Sequence, residues 1–523
     1  MSTQQYLLGL DIGTSGVKGI VIDEDGRTAA SETEQYPLFT PRPNWAEQNP
    51  EDWWGASVQV LRKLTAALGT NARNIKGIGF SGQMHSLVLL DDHDHILRPA
   101  ILWCDTRTDA ECRWINDTVG REKLRSFVGN PALEGFTLPK ILWVRDHEPR
   151  VYERIKKVLL PKDYIRYRLT GTFATEVSDA SGTLLFDVSK RQWSEEMLSS
   201  LSIPREWLPP VSESTEVGGK ITPRAAEETG LTAGTPVAGG GADNACGAVG
   251  SGVIKRGRVL ASIGTSGVVL AHSDTMQVDP EMRAHTFCHG VPSTWYVMGV
   301  ILTAGGALRW FKDTFAHQEI KRAQSTGSNV YDEITRGAAP IPPGAEGLQF
   351  LPYLIGERTP HQSASARASF VGATLRHTRE HFARAVLEGI TFAMRDSLEI
   401  IKGLGIPAEQ IRLTGGGARS QFWRQLQADI YGSEVATINT TEGPALGAAL
   451  MAGVSAGMFA SLVDAVERAV KVTATTEPDV RNVDAYDQSY QLFRETYSSL
   501  EPVYAKMHQQ ANSTKYAHPM EET

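Results

Sequence analysis

The stretch Ile12-Gly13-Thr14-Ser15-Gly16-Val17 occurs twice, because the same six residues return unchanged as Ile263-Gly264-Thr265-Ser266-Gly267-Val268. The two copies are separated by about half of the 523-residue chain. An unchanged repeat of this length at this spacing indicates a duplicated chain in which each half opens with the same loop.

Each copy lies between two apolar runs, which predicts a β-hairpin closed by a tight turn. Glycine permits the positive φ that such a turn needs. Successive backbone N–H groups can then point at one anion, and the Thr and Ser hydroxyls add donors. Two hairpins without a ligand are the plain alternative. We expect both loops to hold a polyphosphate, through Gly13, Thr14 and Ser15 and through Gly264, Thr265 and Ser266.

The residue before each copy differs, since Asp11 precedes the first and Ser262 the second. A carboxylate at only one loop suggests that this loop faces a metal ion and that the other serves the nucleotide. We therefore expect Asp11 to lie near a metal ion.

The composition is that of an ordinary soluble globular protein, with 41% hydrophobic and 21% charged residues. The net charge of −8 disfavours non-specific binding to nucleic acid or to an anionic membrane. The four cysteines form no CxxC pair, and no basic segment precedes the first apolar run. We expect reduced cysteines, a cytoplasmic location, and neither nucleic acid nor membrane as a partner.

A predicted strand over Ile75–Phe80 runs into Ser81-Gly82-Gln83-Met84-His85. Small and then polar residues at the end of a strand are where α/β folds place ligand contacts. Gln83 and His85 could hydrogen-bond a polyol. The alternative for His85 is a half-buried histidine satisfied by the protein itself.

A second apolar run, Ile101-Leu102-Trp103, ends in the same way with Cys104-Asp105-Thr106-Arg107. Asp105 can accept hydrogen bonds from sugar hydroxyls, and Trp103 can stack on the C–H face of a sugar. The alternative for Asp105 is a salt bridge within the loop.

Three glycines, Gly239–Gly241, follow a short apolar run and precede Ala242-Asp243-Asn244. Phosphoryl transfer to an alcohol depends on positioning, charge neutralisation and a carboxylate that accepts the hydroxyl proton. The glycines let a ligand approach the backbone closely, so we expect Asp243 to be that base. The alternative is that Asp243 only caps the next helix.

Two further glycine-rich segments lie in the second half, at Gly305-Gly306 and at Gly415-Gly416-Gly417-Ala418. The latter separates a predicted strand from a helix, which is a common site for the phosphate and ribose of a nucleotide. The apolar stretch Pro444–Phe459 is too short to span a bilayer and predicts a buried helix. No G-x-x-x-x-G-K-[ST] motif occurs, which excludes a P-loop enzyme.

Several of these segments together resemble the FGGY family of carbohydrate kinases. The similarity runs from about residue 6 to about residue 500. The segments that carry it are Asp11–Lys18, Gly82–His85, Pro161–Tyr164, Gly239–Asn244, Ile263–Val268, Gly356–Pro360 and Gly415–Trp423.

The resemblance implies a duplicated actin/hexokinase/Hsp70-like α/β fold of the ribonuclease H type, with two domains around a central cleft. We expect an N-terminal domain over 1–250, a C-terminal nucleotide-binding domain over 251–505 and a polar tail over 506–523. It also implies ATP and Mg²⁺ as cofactors, and it leaves a homodimer open.

The resemblance also implies roles for individual residues. Asp243 matches the family's catalytic base, and Asp11 matches the carboxylate near the metal, with Asp243 as a second metal contact. The expected sugar contacts are Gln83, Met84, His85, Trp103, Asp105, Asp243 and Asn244. The expected ATP contacts are Gly13, Thr14, Ser15, Lys18, Gly264, Thr265, Ser266, Gly305, Gly306, Gly415, Gly416, Gly417 and Ala418.

Met84-His85 is most similar to the motif of family members that phosphorylate D-xylulose. Three departures from the family pattern stand out: Cys104 where Trp-Asn-Asp is common, Ser86 where glycine is common, and Ala242 between the glycines and Asp243. The first two fall in the expected sugar pocket, so they bear on the choice of sugar more than on the reaction.

We hypothesise ATP-dependent phosphorylation of D-xylulose at O5. One rival is a sister kinase acting on ribulose, another ketose or a polyol. A rival from another class is a chaperone-like ATPase of the same fold, since a fold alone does not fix function. A third is a sugar-sensing regulator without catalysis, which the presence of Asp243, Asp11 and both loops disfavours.

Overall fold

The computed structural model describes residues 4–513, and these form two compact α/β units. The first unit holds the described residues up to Arg258, together with His272–Val297 and Ile438–Lys471. The second holds Val259–Ala271, Met298–Thr437 and the described residues from Val472 onward. A single boundary at residue 250 does not describe these units, because two later segments pack with the first.

The strands are mostly short outside two large mixed sheets. In chain order they are β1 (Tyr6–Ile12), β2 (Gly16–Ile22), β3 (Thr28–Gln35), β4 (Glu47–Gln48), β5 (Ile75–Gly82), β6 (Val88–Leu90), β7 (Ala100–Ile101), β8 (Lys157–Leu159), β9 (Thr175–Glu176), β10 (Phe186–Asp187), β11 (Gln192–Trp193), β12 (Val211–Ser212), β13 (Val217–Lys220), β14 (Pro236–Ala238), β15 (Gly241–Ala242), β16 (Gly257–Ile263), β17 (Gly267–Ser273), β18 (His285–Cys288), β19 (Trp295–Ile301), β20 (Gln349–Leu351), β21 (Ser369–Val371), β22 (Ala408–Gly415), β23 (Glu434–Ile438) and β24 (Val472–Thr476).

The helices range from single turns to a long C-terminal helix. They are α1 (Pro50–Leu68), α2 (Asp109–Val119), α3 (Arg121–Val128), α4 (Thr137–His147), α5 (Pro149–Tyr152), α6 (Pro161–Thr170), α7 (Val177–Ala180), α8 (Glu195–Leu201), α9 (Pro223–Thr229), α10 (Asp243–Gly250), α11 (Gly305–Phe315), α12 (His317–Thr326), α13 (Val330–Ala338), α14 (Arg379–Gly403), α15 (Gln421–Tyr431), α16 (Gly443–Ser455), α17 (Leu462–Ala469) and α18 (Val480–Ser513).

Helix α18 overlaps the polar tail expected over 506–523, and the rest of that tail lies outside the described residues. Within the part of the chain that the structure describes, no helix combines the length and the hydropathy that crossing a bilayer requires.

Both repeated loops close antiparallel hairpins, as predicted, and the duplication is visible in the order of the strands. In the first unit the order is β3-β2-β1-β5, where β1 and β2 flank the first loop. In the second sheet the order is β19-β17-β16-β22, where β16 and β17 flank the second loop. The predicted duplicated α/β architecture is confirmed.

The strand register of the first sheet brings three chain segments to one edge. Strands β1 and β15 both pair in parallel with β5, and Ile12 and Ala242 both lie opposite Gly82. The residues that leave these strands are therefore neighbours. They are Gly13, Gln83 and Asp243, the predicted contacts for phosphate, sugar and proton.

Helix α16 lies directly on this sheet because the strands beneath it carry glycine. A methyl group on Gly9 of β1 would lie 2.0 Å from the carbonyl oxygen of Ala445, and one on Gly79 of β5 would lie 1.9 Å from that of Ala448. No side chain fits into such gaps, since even ordinary overpacking of a core is costly. The buried helix predicted over 444–459 is confirmed in this position, with a slightly earlier end.

Replacing Gly79 with alanine is expected to lower the free energy of unfolding by roughly 2–3 kcal/mol, because the new methyl group meets backbone that must move. Gly55 in α1 is the matched control, since a methyl group there has no heavy atom within 4 Å. Gly55→Ala should raise stability by up to about 1 kcal/mol through helix propensity. Urea unfolding of both variants makes the comparison, and equal stabilities would contradict the packing argument.

Candidate active site

The carbonyl groups of the first loop accept hydrogen bonds that fix the position of the loop. Gly13 N donates to Gly16 O at 3.0 Å, and the Tyr36 hydroxyl donates to Gly13 O. Gln48 Nε2 donates to Thr14 O at 2.8 Å. Among the described residues, the backbone N–H groups of Thr14 and Ser15 have no hydrogen-bond partner. Such a loop presents donors to an anion, as predicted from its sequence.

The second loop is built on Gly305 and Gly306 at the start of α11. Gly305 N donates to Gly264 O and Gly306 N donates to Thr265 O, both at 2.9 Å. A methyl group on Gly305 would lie 2.3 Å from Gly264 O. The N–H groups of these two glycines are therefore engaged with the loop and are not free to bind phosphate. These N–H groups support Gly264 and Thr265, and Gly305 also borders the cavity described next, so the ATP contacts expected of Gly305 and Gly306 stay predictions.

A cavity of about 310 Å³ adjoins this loop within the second unit. It includes several of the predicted nucleotide contacts, but Ser266, Gly415 and Ala418 do not line it. Gly415 instead turns the chain, with a φ of 74°, where a methyl group would lie 2.4 Å from Ile263 O. The lining residues are Ile263, Gly264, Thr265, Gly305, Leu308, Arg309, Asn329, Tyr331, Asp332, Thr335, Gly416, Gly417, Arg419, Ser420 and Trp423.

Arg309, Asn329 and Tyr331 were not predicted from the sequence. They lie on or next to α11 and α13, which show no motif of their own. A polar, part-aromatic cavity bordered by glycine-rich turns has the size and chemistry to take a nucleotide base and ribose.

Asp243 is the first residue of α10, at the end of β15. Its Oδ1 accepts hydrogen bonds from Asn244 N at 2.7 Å and from Asn244 Nδ2 at 3.0 Å. The N-cap residue is Ala242, without a side-chain cap bond, so the helix-cap alternative is not what the structure shows. Burial and the charge of Asp11 raise the pKa of Asp243 to about 7. A carboxylate with this pKa can accept a proton near neutral pH.

Asp11 lies opposite Ser81 in the sheet, and its Oδ1 is buried without a hydrogen-bond partner. Burial raises the pKa of Asp11, while the Ser81 hydroxyl and the charge of Lys18 act in the opposite direction. An unpartnered carboxylate oxygen close enough to a second carboxylate to raise its pKa fits a hard divalent cation.

The described residues contain no group of three or more His, Cys, Asp or Glu side chains arranged to hold a metal ion. A cation at Asp11 and Asp243 would therefore take most of its ligands from phosphate oxygens and water, as Mg²⁺ commonly does. Lys18 was expected at ATP, but its ammonium pairs with Glu442 at 2.6 Å. This partner lies far along the chain, and no sequence pattern indicated it.

Met84 and His85 lie next to Asp243 and Asn244. Asn244 Nδ2 approaches Met84 Sδ at 3.6 Å, so the amide links Met84 to the carboxylate. His85 has a left-handed backbone, with φ at 69°, which is uncommon outside glycine and clusters at functional sites. Its Nδ1 lies 2.6 Å from Gly182 O, and its ring centroid lies 4.6 Å from that of Phe136.

Two donors that the sequence did not reveal hold the backbone of His85. Its carbonyl oxygen accepts from Thr137 Oγ1 and from Lys140 Nζ, both at 3.0 Å. Lys140 is fully buried and also donates to Gly135 O at 2.6 Å. Burial lowers the pKa of Lys140 to about 7. Tyr296 is also fully buried, and its hydroxyl oxygen lies 4.0 Å from Met84 Sδ.

Gln83 and Asp105 are engaged with the protein itself. Gln83 Nε2 donates to Gly13 O at 3.3 Å and to Gln48 Oε1 at 3.2 Å, which ties this strand end to the first loop. Asp105 is fully buried and receives two side-chain hydrogen bonds from Arg107 and one from Ala46 N. The loop salt bridge, rather than a sugar contact, describes Asp105.

The remaining candidates lie at the loop. Trp103 is 36% exposed, and its Nε1 donates to Thr14 Oγ1 at 2.9 Å. Ser86, where the family commonly has glycine, donates to Gln83 Oε1 and accepts from Trp103 N. Ser86 therefore joins the two strand ends that the sequence had marked separately.

The chain is similar to known proteins over nearly its whole length. The model of the FGGY family of carbohydrate kinases, N-terminal domain, matches residues 6–250, and that of the C-terminal domain matches residues 259–456. A xylulose kinase of Bacillus subtilis is 41% identical over 94% of this chain and 97% of its own length. A gluconokinase of the same organism is 32% identical over 96% and 97%.

Among solved structures, the xylulose kinase of Rhodospirillum rubrum is similar, with a TM-score of 0.89 at 30% identity. The match covers 96% of this chain and all of that one. Two family models that together span most of the sequence, and relatives that match nearly end to end, leave one assignment. The chain belongs to the FGGY family of carbohydrate kinases.

Proposed function

We propose that this chain transfers the γ-phosphoryl group of ATP to O5 of D-xylulose, in the catabolism of D-xylose. The observation that carries the proposal is Asp243, a carboxylate with a pKa of about 7 linked through Asn244 to Met84. The choice of sugar is supported by the higher identity to the xylulose kinase than to the gluconokinase of Bacillus subtilis.

In the proposed reaction, Asp243 accepts the proton of the sugar hydroxyl as its oxygen attacks the γ-phosphorus. The new O–P bond forms while the bond from the γ-phosphorus to the bridging oxygen of ADP breaks, and the proton on Asp243 later returns to solvent. Mg²⁺, when bound with ATP, would neutralise phosphate charge. Asp11, with its unpartnered oxygen, and Asp243 are the side chains proposed to face it, directly or through water.

We propose that ATP binds the cavity of the second unit through Gly264, Thr265, Gly416 and Gly417, with Ser266 and Ala418 flanking it. The first loop, Gly13–Ser15, is proposed to bind phosphate oxygens. D-Xylulose would contact Met84, His85 and Asn244, with Trp103 at the rim. We also propose a cytoplasmic enzyme, since all four cysteines are free thiols.

The first test is ADP release with Mg-ATP across D-xylulose, L-ribulose, D-ribulose, D-fructose, glycerol and D-gluconate. The proposal predicts the highest kcat/KM for D-xylulose. A preference for another of these sugars would move the assignment to a sister kinase. ATP hydrolysis that is independent of any sugar would instead favour the chaperone-like ATPase, and sugar binding without turnover would favour a sensor.

Lys140→Met is expected to raise KM for D-xylulose about tenfold, because the carbonyl groups of His85 and Gly135 lose a donor worth roughly 1–2 kcal/mol. KM for ATP should stay unchanged, since the proposed nucleotide cavity lies in the second unit. Steady-state kinetics measure both constants, with Lys156→Met as the control at an exposed lysine. Unchanged KM for the sugar in Lys140→Met would contradict the role given to His85.

A further inference from the structure

A cluster of buried charges lies on α6, β9 and α7, and the proposed reaction uses none of it. Each member is at most 1% exposed. Lys162 Nζ lies 2.8 Å from Asp163 Oδ1, 3.3 Å from Asp179 Oδ2 and 3.4 Å from Glu176 Oε1. Arg166 pairs with Asp163 at 3.1 Å. We call these five residues the buried ion cluster. Charges this deep are costly, so their bonds to the rest of the chain need an explanation.

Glu176 also accepts hydrogen bonds from residues outside the buried ion cluster. Its two oxygens accept from Ser178 N at 2.8 Å, Ser178 Oγ at 2.9 Å, Asp179 N at 2.8 Å and Ser214 Oγ at 2.7 Å. An ionised carboxylate can only accept, so Ser178 must point its single hydroxyl proton at Glu176. The lone pairs of Ser178 Oγ are then available to another donor.

That donor is the backbone N–H of Ala242, the residue immediately before Asp243. The distance from Ala242 N to Ser178 Oγ is 3.0 Å, and both groups are buried. The approach is tight, because a methyl group on Gly241 would lie 3.3 Å from the same hydroxyl oxygen. Ala242, which lies between the triple glycine and Asp243, is therefore hydrogen-bonded to the hydroxyl group that Glu176 orients.

Two other bonds fix the start of this segment. Arg166, a member of the buried ion cluster, donates to Gly239 O at 3.1 Å. Gly240 N donates to Ser214 O at 3.0 Å. Gly240 has a φ of 77°, and a methyl group there would lie 2.3 Å from Phe80 O, so the turn depends on glycine. A segment of three glycines has little stiffness of its own.

We propose that Ser178, oriented by Glu176, is a positioning residue for the catalytic base, and that the buried ion cluster exists to hold the glycine segment that carries Asp243. The inference rests on the proposed role of Asp243. Holding a reacting group in place is worth much in phosphoryl transfer, where a displacement of about 1 Å can cost about 100-fold in rate.

The test compares two serines on the same carboxylate. Ser178→Ala removes the acceptor of Ala242 N, whereas Ser214→Ala removes a 2.7 Å bond to Glu176 but leaves the backbone carbonyl that holds Gly240. Ser178→Ala should lower kcat for D-xylulose about 10- to 100-fold with KM for ATP unchanged. Ser214→Ala should stay within about threefold of wild type, with a similar loss of thermal stability. Equal kcat in the two variants would overturn the positioning role.

A double-mutant cycle with Asp243→Ala separates positioning from general destabilisation. If Ser178 acts through Asp243, adding Ser178→Ala to Asp243→Ala should lower kcat less than twofold further. A full multiplicative loss would overturn the inference. Glu176→Gln is a second route, because its amide group can donate to Ser178 and turn the hydroxyl proton towards Ala242. It should lower kcat about tenfold, and kcat equal to wild type would contradict the proposal.

The outcomes also separate the inference from the function beneath it. A wild-type protein without turnover of D-xylulose would overturn the proposed function and this inference with it. Normal wild-type turnover with an unaffected Ser178→Ala would overturn the inference alone.

Discussion

The site around Asp243 depends on the close backbone contact between helix α16 and the glycines of the first sheet. Gly9 and Gly79 leave no room for a side chain beneath Ala445 and Ala448. Helix α10, which begins at Asp243, packs against α16 just as closely, since a methyl group on Gly447 would lie 2.0 Å from Cys246 O. The helix that begins at Asp243 is therefore fixed to the strands that carry Asp11 and lead into Met84 and His85. The small residues here permit close packing, which fixes the positions of the site residues rather than making the backbone flexible.

Electrostatics follow from this close packing. Two carboxylates, Asp11 and Asp243, are brought together at the end of the sheet, and each is largely removed from water. Both pKa values rise as a result, and that of Asp243 reaches about 7. Clustering like charges costs stability, and such perturbed carboxylates are typical of functional sites. The buried ion cluster, which includes Lys162 and Glu176, lies in the same unit. Its charges pair with one another, and it is proposed to position Asp243.

Much of this arrangement could be predicted from the sequence. The repeated loop, the triple glycine before Asp243 and the buried helix after residue 443 are local patterns with a direct physical meaning. They gave the duplication, both hairpins and the place of Asp243 at a helix start. Family resemblance supplied the roles that local patterns leave open.

Expected and observed contacts differ where hydrogen-bond partners distant in sequence decide what a polar group does. Lys18 is paired with Glu442, and the N–H groups of Gly305 and Gly306 serve the second loop. Lys140, Tyr296 and Ser178 carry no motif, so only the folded chain reveals their contacts with His85, Met84 and Ala242.

The central claim is that Asp243 accepts the proton of the sugar hydroxyl. The most direct measurement is kcat for D-xylulose phosphorylation by Asp243→Ala against wild type, with circular dichroism and thermal unfolding to establish that the variant is folded. The account predicts a loss of about 10²- to 10⁴-fold, the usual contribution of a general base. A folded Asp243→Ala protein with near-normal turnover would contradict it.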